Sequence, residues 1–343
     1  MRHLLNTLFV LTEDSYLSLD GENIVISNGE NTIGRFPLHV LEGVLYFGYR
    51  GASPSLMGAC AQRGINLVFM KPSGRFLARV SGETRGNVLL RKKQFRVSEL
   101  SDESLTIARS FVMGKVYNSR WVLERAIRDH TLQVDVEKLK ATSTRLRGFL
   151  PEIASVGSVD SLRGLEGEAA SMYFGVLNEL ILRDKDNFFF YGRNRRPPRD
   201  NVNTMLSFFY SILANDCTAA LESVGLDPYI GFMHSDRPGR AALALDLMEE
   251  LRSVIADRFV LTLINNRVVS ATDFVQQENS TVTLSDDGRK AALSAWQGRK
   301  KETITHPFLG EKIPWGLVPY VQALLLARYL RGDLDAYPTF FWK

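Results

Sequence analysis

The spacing of apolar residues changes near residue 100 and divides the chain into two parts. Before this point the apolar residues form short runs separated by turn residues, such as SYLSLDGENIVIS with its Asp20-Gly21 turn, which is typical of β-strands. Beyond Leu100 they recur at three- and four-residue spacing, which is typical of helices. The sequence therefore predicts an α+β fold, with a β-rich, sandwich-like N-terminal domain over residues 1–97 and an all-α domain over residues 98–343.

One helix is expected inside the β-rich part. The stretch SPSLMGACAQRG begins with Ser53 and Pro54, which suit the start of a helix, and ends at Gly64, which suits its end. The segment GETRGNVLLRKKQFR then changes the composition. We expect the domain boundary there.

Composition limits the partners and the kind of site. The chain has 343 residues, 45% of them hydrophobic, which is enough to bury a substantial core. Its 42 basic and 38 acidic residues leave a net charge of only +4, so a polyanion must be met by local basic clusters. Cys60 and Cys217 lie in no CxxC or Cys/His pattern, so we expect a reducing cytosol and neither a zinc ribbon nor a disulfide framework.

No segment is expected to cross a membrane. The N-terminal apolar run MRHLLNTLFVLTEDSYLSL passes into strand-like sequence without a small-residue cleavage site. The late apolar segment IPWGLVPYVQALLLARYL is interrupted by Pro314 and Pro319 and carries Arg328. This favours a buried C-terminal helix in a cytoplasmic protein.

Three acids interrupt an apolar helix in the stretch GFMHSDRPGRAALALDLMEELR. They are Asp246, Glu249 and Glu250. Burying an ionised carboxylate is costly unless it is ion-paired or binds a metal. The acids therefore form ion pairs, lie on a solvated stripe of the helix, or belong to a metal site. Asp246 can neighbour both glutamates on one helix face, so spacing does not choose between them. His234 precedes this helix and can fold over its first turns.

Small and polar residues form a stripe on the same helix and predict room for a ligand beside it. The stripe consists of Ala242, Asp246, Glu249 and Ser253.

A second acid, Glu166, lies between Gly164 and Gly167 in SVDSLRGLEGEAASMYF. Glycine is costly inside a helix, so this pair indicates close packing or a ligand at the acid. Carboxylates with one imidazole suit Mn²⁺ or Mg²⁺, and such an ion supports cleavage or transesterification of phosphodiesters. Taken singly, a histidine is more often a satisfied structural residue and helical glutamates are more often solvated or paired.

Two basic segments are candidates for phosphate contacts. The first is the proline-containing loop that carries Arg193, Arg195, Arg196 and Arg199. The second is RKAALSAWQGRKKETI, where five basic residues surround Trp296. For each of them a solvated basic surface is the alternative.

Three ordered stretches carry a resemblance to a known family. They are LRGLEGEAASMYF, YGRNRRPPRDNVNTMLSFFYSIL and GFMHSDRPGRAALALDLMEELR. Together they resemble the core CRISPR-associated adaptation endonuclease, the spacer-acquisition integrase. The resemblance covers the chain from about Leu100 onward and implies an N-terminal domain that dimerises and a helical catalytic domain with one Mn²⁺ or Mg²⁺.

The resemblance also implies roles for individual residues. The family's metal ligands fall on Glu166, His234 and Glu249, and Asp246 matches a further acidic position close to the metal. Glu250 has no assigned role and is expected to be solvated or paired. The DNA contacts that we expect are Arg193, Arg195, Arg196, Arg199, Arg237 and Arg240.

The implied activity is the insertion of short double-stranded DNA fragments at a CRISPR repeat, with the fragment 3′-hydroxyls as nucleophiles. The same site would also cleave DNA, including branched intermediates. The implied partners are a second copy of the chain, a small ferredoxin-like adaptation protein that bridges two dimers, and an accessory nuclease that trims the fragments.

Two other functions remain open at this point. The acids can be structural ion pairs of a DNA-binding scaffold, for instance with Arg237, Arg240 or Arg252. The site can also belong to a metallohydrolase that acts on a small phosphoester.

Overall fold

The computed structural model describes residues 6–83, 87–194, 197–235 and 237–343. It confirms the α+β class, with strands in the first part of the chain and mainly helices in the second. Two of the predicted DNA contacts, Arg195 and Arg196, lie outside the described residues.

Two sheets and one α-helix make up most of the described residues 6–83. A mixed sheet has the order β1-β5-β6-β7, in which β1, β5 and β6 are parallel and β7 is antiparallel, and a second, antiparallel sheet has the order β2-β3-β4. The strands are β1 (Thr7–Val10), β2 (Tyr16–Asp20), β3 (Asn23–Asn28), β4 (Asn31–Pro37), β5 (Gly43–Tyr46), β6 (Asn66–Met70) and β7 (Phe76–Arg79).

The predicted helix between these strands is confirmed as α1 (Pro54–Arg63). The Ser53 hydroxyl accepts a hydrogen bond from the Leu56 backbone N–H at 3.2 Å, and Gly64 ends the helix with a φ of 66°.

The mixed sheet contributes to two hydrophobic cores because neighbouring side chains of a strand point to opposite faces. Val44 and Tyr46 join the core that contains the smaller sheet and α1. Leu45 and Phe47 join the much larger helical core. The sheet is thus sandwiched between the smaller sheet and the helices.

Within the described residues, nine further α-helices form the rest of the scaffold, and α3 lies at its centre in contact with α2, α4, α5 and α7. They are α2 (Val88–Glu99), α3 (Ser101–Asp129), α4 (Val136–Ser155), α5 (Val159–Gly175), α6 (Asn201–Ser223), α7 (Ala242–Arg252), α8 (Arg258–Asn265), α9 (Asp286–Lys301) and α10 (Val318–Arg331). A π-helical turn over Ser253–Asp257 joins α7 to α8.

The expectation of an all-α second part was wrong in detail, since two short hairpins interrupt it in the part of the chain that the structure describes. They pair β8 (Phe274–Gln276) with β9 (Val282–Leu284) and β10 (Thr303–Thr305) with β11 (Lys312–Pro314). Strands of three residues are too short for their alternation to stand out from a helical pattern. The proposed domain boundary after residue 97 falls in the last turn of α2.

The predicted C-terminal helix is present as α10, and most of its residues are buried. No helix in the described part of the chain combines the length and the apolar character needed to cross a bilayer.

The segment after α10 returns to the middle of α3. The fully buried Asn118 amide donates hydrogen bonds to the carbonyl oxygens of Glu250, at 2.6 Å, and Phe340, at 2.7 Å. Its Oδ1 accepts a hydrogen bond from the Trp342 N–H at 2.9 Å. One side chain therefore joins α3, α7 and the C-terminal segment.

Replacing Asn118 with Ala should lower the free energy of unfolding by about 2–4 kcal/mol, because three buried backbone groups lose their partner. Urea unfolding followed by circular dichroism measures the change. Thr106→Ala is the matched control: Thr106 is exposed on the same helix and bonds only to the helix backbone at Asp102. Similar losses for both variants would contradict the anchoring role of Asn118.

Candidate active site

A cavity of about 890 Å³ opens between α5, α6 and α7. Its walls bring together residues that are far apart in the sequence. They include three predicted metal ligands and three arginines: Glu166, His234, Glu249, Arg193, Arg240 and Arg252.

Glu166 of α5 and Glu249 of α7 converge on the Lys115 ammonium of α3. Lys115 forms a direct ion pair with Glu166 Oε1, and its Nζ lies 2.6 Å from Glu249 Oε2. Lys115 is only 5% exposed, and a buried ammonium is tolerated where carboxylates surround it. Three helices therefore meet at one ionic cluster in the cavity wall.

Arg252 completes the charge balance around Glu249. Its Nη1 lies 2.9 Å from Glu249 Oε1. Burial alone would raise the pKa of Glu249, but the Arg252 and Lys115 cations outweigh it and hold this pKa at about 2. Glu249 is therefore a buried carboxylate that stays ionised at neutral pH.

Tyr210 of α6 packs against two arginines of the cavity wall, Arg193 and Arg252. The Arg252 and Arg193 guanidinium carbons lie 4.8 Å and 5.2 Å from the Tyr210 ring centroid, which is cation–π distance. The Tyr210 hydroxyl donates to Asp257 Oδ1 at 2.5 Å. Arg193 also donates to Asn203 Oδ1 at 2.7 Å.

Asp246 fixes the loop that carries His234. Its Oδ2 accepts hydrogen bonds from the Phe232 and Met233 backbone N–H groups at 2.7 Å and 3.0 Å. Its Oδ1 accepts one from the His234 N–H at 3.0 Å and lies 2.6 Å from His234 Nδ1. With Nδ1 engaged in this way, Nε2 is the ring nitrogen left for a ligand.

Side chains of α5 and α3 also bind the loop that carries His234. Arg163 Nε of α5 donates to the Met233 carbonyl at 2.9 Å, and the Ser104 hydroxyl of α3 donates to the Phe232 carbonyl at 3.0 Å. A Cβ atom on Gly231 would lie 2.8 Å from Ala242 Cβ and 2.9 Å from Asp246 Oδ2. Only glycine lets the loop lie this close to α7.

The site chemistry fits a hard divalent ion. Two carboxylates and one imidazole line the cavity, and His234 lies near enough to Glu249 to lower its pKa further. Buried Glu249 Oε2 faces the Lys115 ammonium at 2.6 Å. Across the described residues, no three His, Cys, Asp or Glu side chains already form a closed ligand set. The donors therefore suit Mn²⁺ or Mg²⁺, but they must rearrange around Lys115 to bind it.

The comparisons with known proteins identify the family. The family model described as CRISPR associated protein Cas1 matches residues 8–298. This chain belongs to the Cas1 family. The CRISPR-associated endonuclease Cas1 2 of Rhodospirillum rubrum is 52% identical over the full length of both chains, and this Cas1 family member is an enzyme of the same kind.

Solved structures share the Cas1 fold of this chain. A casposase bound to integration product is 23% identical, with a TM-score of 0.83 over 98% of this chain and 93% of that one. A Cas6-RT-Cas1–Cas2 complex is also 23% identical, with a TM-score of 0.82 over 100% of this chain and 36% of its own chain. At this identity the likeness shows the fold alone.

The predicted ligand-binding stripe was wrong in part. Ala242 and Asp246 are covered by the His234 loop, and Ser253 is buried. The face of α7 that lines the cavity consists of Leu245, Met248, Glu249 and Arg252. Residue spacing along α7 could not predict which face lines the cavity, because it does not reveal which face a neighbouring loop covers.

The glycines around Glu166 do not serve close helix packing. A Cβ atom on Gly164 or Gly167 would meet nothing within 4 Å. Gly167 lines the cavity instead, so of the two explanations open from the sequence, space for a ligand is the one that fits.

The predicted arginine contacts differ in position. Arg193 and Arg240 line the cavity, whereas Arg199 and Arg237 are exposed and are not among its lining residues. In the basic segment around Trp296, two residues serve the fold, since Trp296 is 1% exposed and Lys300 Nζ pairs with Asp216 Oδ2 at 3.2 Å, whereas Lys290 and Lys301 are exposed.

Lys115 was not among the site residues predicted from the sequence. The sequence does contain a signal for this residue, because Lys115 lies within an apolar run. Its neighbours Phe111, Val112 and Val116 are all buried. A charged residue on the buried face of a helix needs a partner.

Glu250 is not solvated, and it forms no ion pair with any residue that the structure describes. It is 0% exposed and points away from the cavity, where its Oε2 accepts from the Phe340 N–H at 2.9 Å and its Oε1 accepts from Gln322 Nε2 at 3.0 Å and from the Tyr337 hydroxyl. Burial raises its pKa to about 7, and these hydrogen bonds only partly offset the shift.

Replacing Asp246 with Asn should lower nuclease activity about tenfold or more, because the amide group puts a donor where backbone N–H groups need an acceptor. Activity on a DNA substrate and unfolding by urea measure the two effects. Asp227→Asn is the control, since Asp227 Oδ1 accepts a single backbone N–H in a nearby exposed turn. Full activity of the Asp246 variant would show that His234 needs no such support.

Replacing Glu250 with Gln should change how stability depends on pH. The pKa of Glu250 rises from 4.5 to about 7 on folding, so its protonation stabilises the fold fully below pH 4.5, and this contribution is lost as the pH rises through 7. From pH 5 to 8 the wild type should therefore lose about 3 kcal/mol relative to the variant.

Urea unfolding at several pH values tests this expectation, with the exposed Glu152→Gln of α4 as control. Parallel stability profiles for the wild type and Glu250→Gln would contradict the raised pKa.

Proposed function

We propose that this Cas1 family member, an endonuclease and integrase of CRISPR adaptation, joins the 3′-hydroxyls of short double-stranded DNA fragments to a CRISPR repeat in a metal-dependent reaction. One observation carries the proposal. Glu166 and Glu249, from two different helices, line one cavity together with His234 and converge on one buried cation, Lys115.

The proposed metal ligands are Glu166, Glu249 and Nε2 of His234. A bound Mn²⁺ or Mg²⁺ would polarise the phosphate and lower the pKa of the attacking hydroxyl. Asp246 holds His234 in orientation through Nδ1. Arg252 is ion-paired with Glu249 and packs on the Tyr210 ring, so these two residues help to fix the position of Glu249.

The arginines of the cavity suit a DNA backbone. Arg193 and Arg240 line the cavity beside the acids, and guanidinium groups bind phosphate oxygens through paired hydrogen bonds. We assign further backbone contacts to the exposed Arg199 and Arg237 and, outside the described residues, to Arg195 and Arg196. The DNA fragment supplies the nucleophile, and the same groups would cleave branched intermediates when the reaction runs in reverse.

The proposed assembly is a homodimer formed through the N-terminal β-rich domain, residues 1–97. Edge strands β4 and β7 expose apolar side chains that a second copy could cover, including Ile33, Phe76 and Leu77. We further propose a small ferredoxin-like protein that bridges two dimers, as the Cas1–Cas2 complex among the similar structures suggests. An accessory end-trimming nuclease and a location in the prokaryotic cytoplasm complete the proposal.

A DNA-binding scaffold is the second candidate function. It is favoured by the observation that both acids already have cationic partners, Lys115 for each and Arg252 for Glu249. A scaffold would bind DNA without metal and without turnover. The small-phosphoester hydrolase is the weaker alternative, because it gives the exposed arginines outside the cavity, Arg199 and Arg237, no role.

Replacing Glu166 or Glu249 with Gln should reduce strand transfer by about a hundredfold or more, since each change removes a charged metal ligand without changing its size. The assay joins a short duplex to a supercoiled plasmid that carries a repeat, with the small partner protein present, in Mn²⁺ and in EDTA. Glu168→Gln is the matched control, because Glu168 is exposed on the same helix two residues from Glu166.

Joining that survives EDTA, or equal loss in the Glu168 variant, would overturn the assignment of these ligands. DNA binding without joining by the wild type under every condition would favour the scaffold.

A further inference from the structure

Lys115 is a buried cation to which the proposed reaction gives no role. Its ammonium pairs with Glu166 Oε1 and lies 2.6 Å from Glu249 Oε2. These are the two carboxylates that the proposed function assigns to the metal ion.

The ammonium and a divalent cation need the same carboxylate oxygens. Glu249 Oε1 is paired with Arg252 at 2.9 Å, so Oε2, which faces Lys115, is the oxygen left for a metal ion. Two cations a few ångströms apart repel each other strongly at a poorly solvated site. Lys115 and the metal therefore cannot both occupy the space between the carboxylates.

We propose that Lys115 is the built-in competitor of the metal ion. It holds Glu166 and Glu249 close together, must give way when the ion binds, and thereby sets the metal concentration at which the site becomes loaded. The proposal rests on the metal ligands assigned in the proposed function. Lys115 is in this sense a positioning residue, because it acts through the two carboxylates.

The direction in which metal affinity changes when Lys115 is replaced distinguishes competition with the metal from a purely structural role. If Lys115 only joined the helices, its removal would loosen the carboxylates and weaken metal binding. If Lys115 competes with the metal, removal of its charge strengthens the binding.

The test is direct titration of the full chain with Mn²⁺ at pH 8, followed by calorimetry and by electron paramagnetic resonance of the free ion. Lys115→Met, which is similar in length and uncharged, should lower the Kd for Mn²⁺ by roughly tenfold or more. Lys115→Gln should shift the Kd in the same direction and still donate hydrogen bonds to the carboxylates, so it serves if the Met variant does not fold. Lys115→Arg keeps the charge and should stay within about threefold of the wild type.

Lys300→Met is the matched control. Lys300 is also a buried lysine, 8% exposed, and it pairs with Asp216 at 3.2 Å outside the cavity. Its replacement should leave the Kd for Mn²⁺ unchanged.

An unchanged or higher Kd in the Lys115→Met and Lys115→Gln variants would overturn this proposal and leave the metal ligands in place. An equal decrease in Lys300→Met would also overturn it, because the effect would then reflect net charge alone. If neither the wild type nor the Lys115 variants bind Mn²⁺ at millimolar concentration, the metal site itself is wrong and both proposals are overturned.

Discussion

A buried ammonium is stable only where carboxylates lie close to it. Lys115 is such an ammonium, and it lies on α3 at the centre of the helical part. Its two partners come from α5 and α7, while Asn118, one turn further along α3, binds the α7 backbone and the C-terminal segment. Specific polar contacts of this kind fix the relative position of helices more strictly than apolar packing alone does. The geometry of the cavity follows from that position.

The loop that carries His234 and the side chain of Arg252 are held in place before any ligand arrives. Asp246 uses both carboxylate oxygens to hold the His234 loop, and Tyr210 holds Arg252 against Glu249. Such fixed surroundings cost no reorganisation during a reaction. The functional side chains therefore owe their positions to neighbours that are themselves buried and hydrogen-bonded.

The sequence predicted the fold class and most of its elements because helices and strands have different hydrophobic periods. It also named Glu166, His234 and Glu249, which the structure brings to one cavity. What it could not show was the packing between elements. The choice of the open face on α7, the loop over Ala242 and the position of Lys115 between two acids all depend on contacts between residues far apart in the chain.

The way the C-terminal segment is held has a consequence for synthesis. Trp342 is 3% exposed and lies between the Arg125 and Arg258 guanidiniums, whose carbons are 4.6 Å and 4.3 Å from its ring centroid. A nascent chain that has not yet released Trp342 from the ribosome lacks the partners of Asn118 and Glu250. The helices around the cavity can therefore lock only once residue 342 has left the ribosome, and chains that end before it would be left open to proteases.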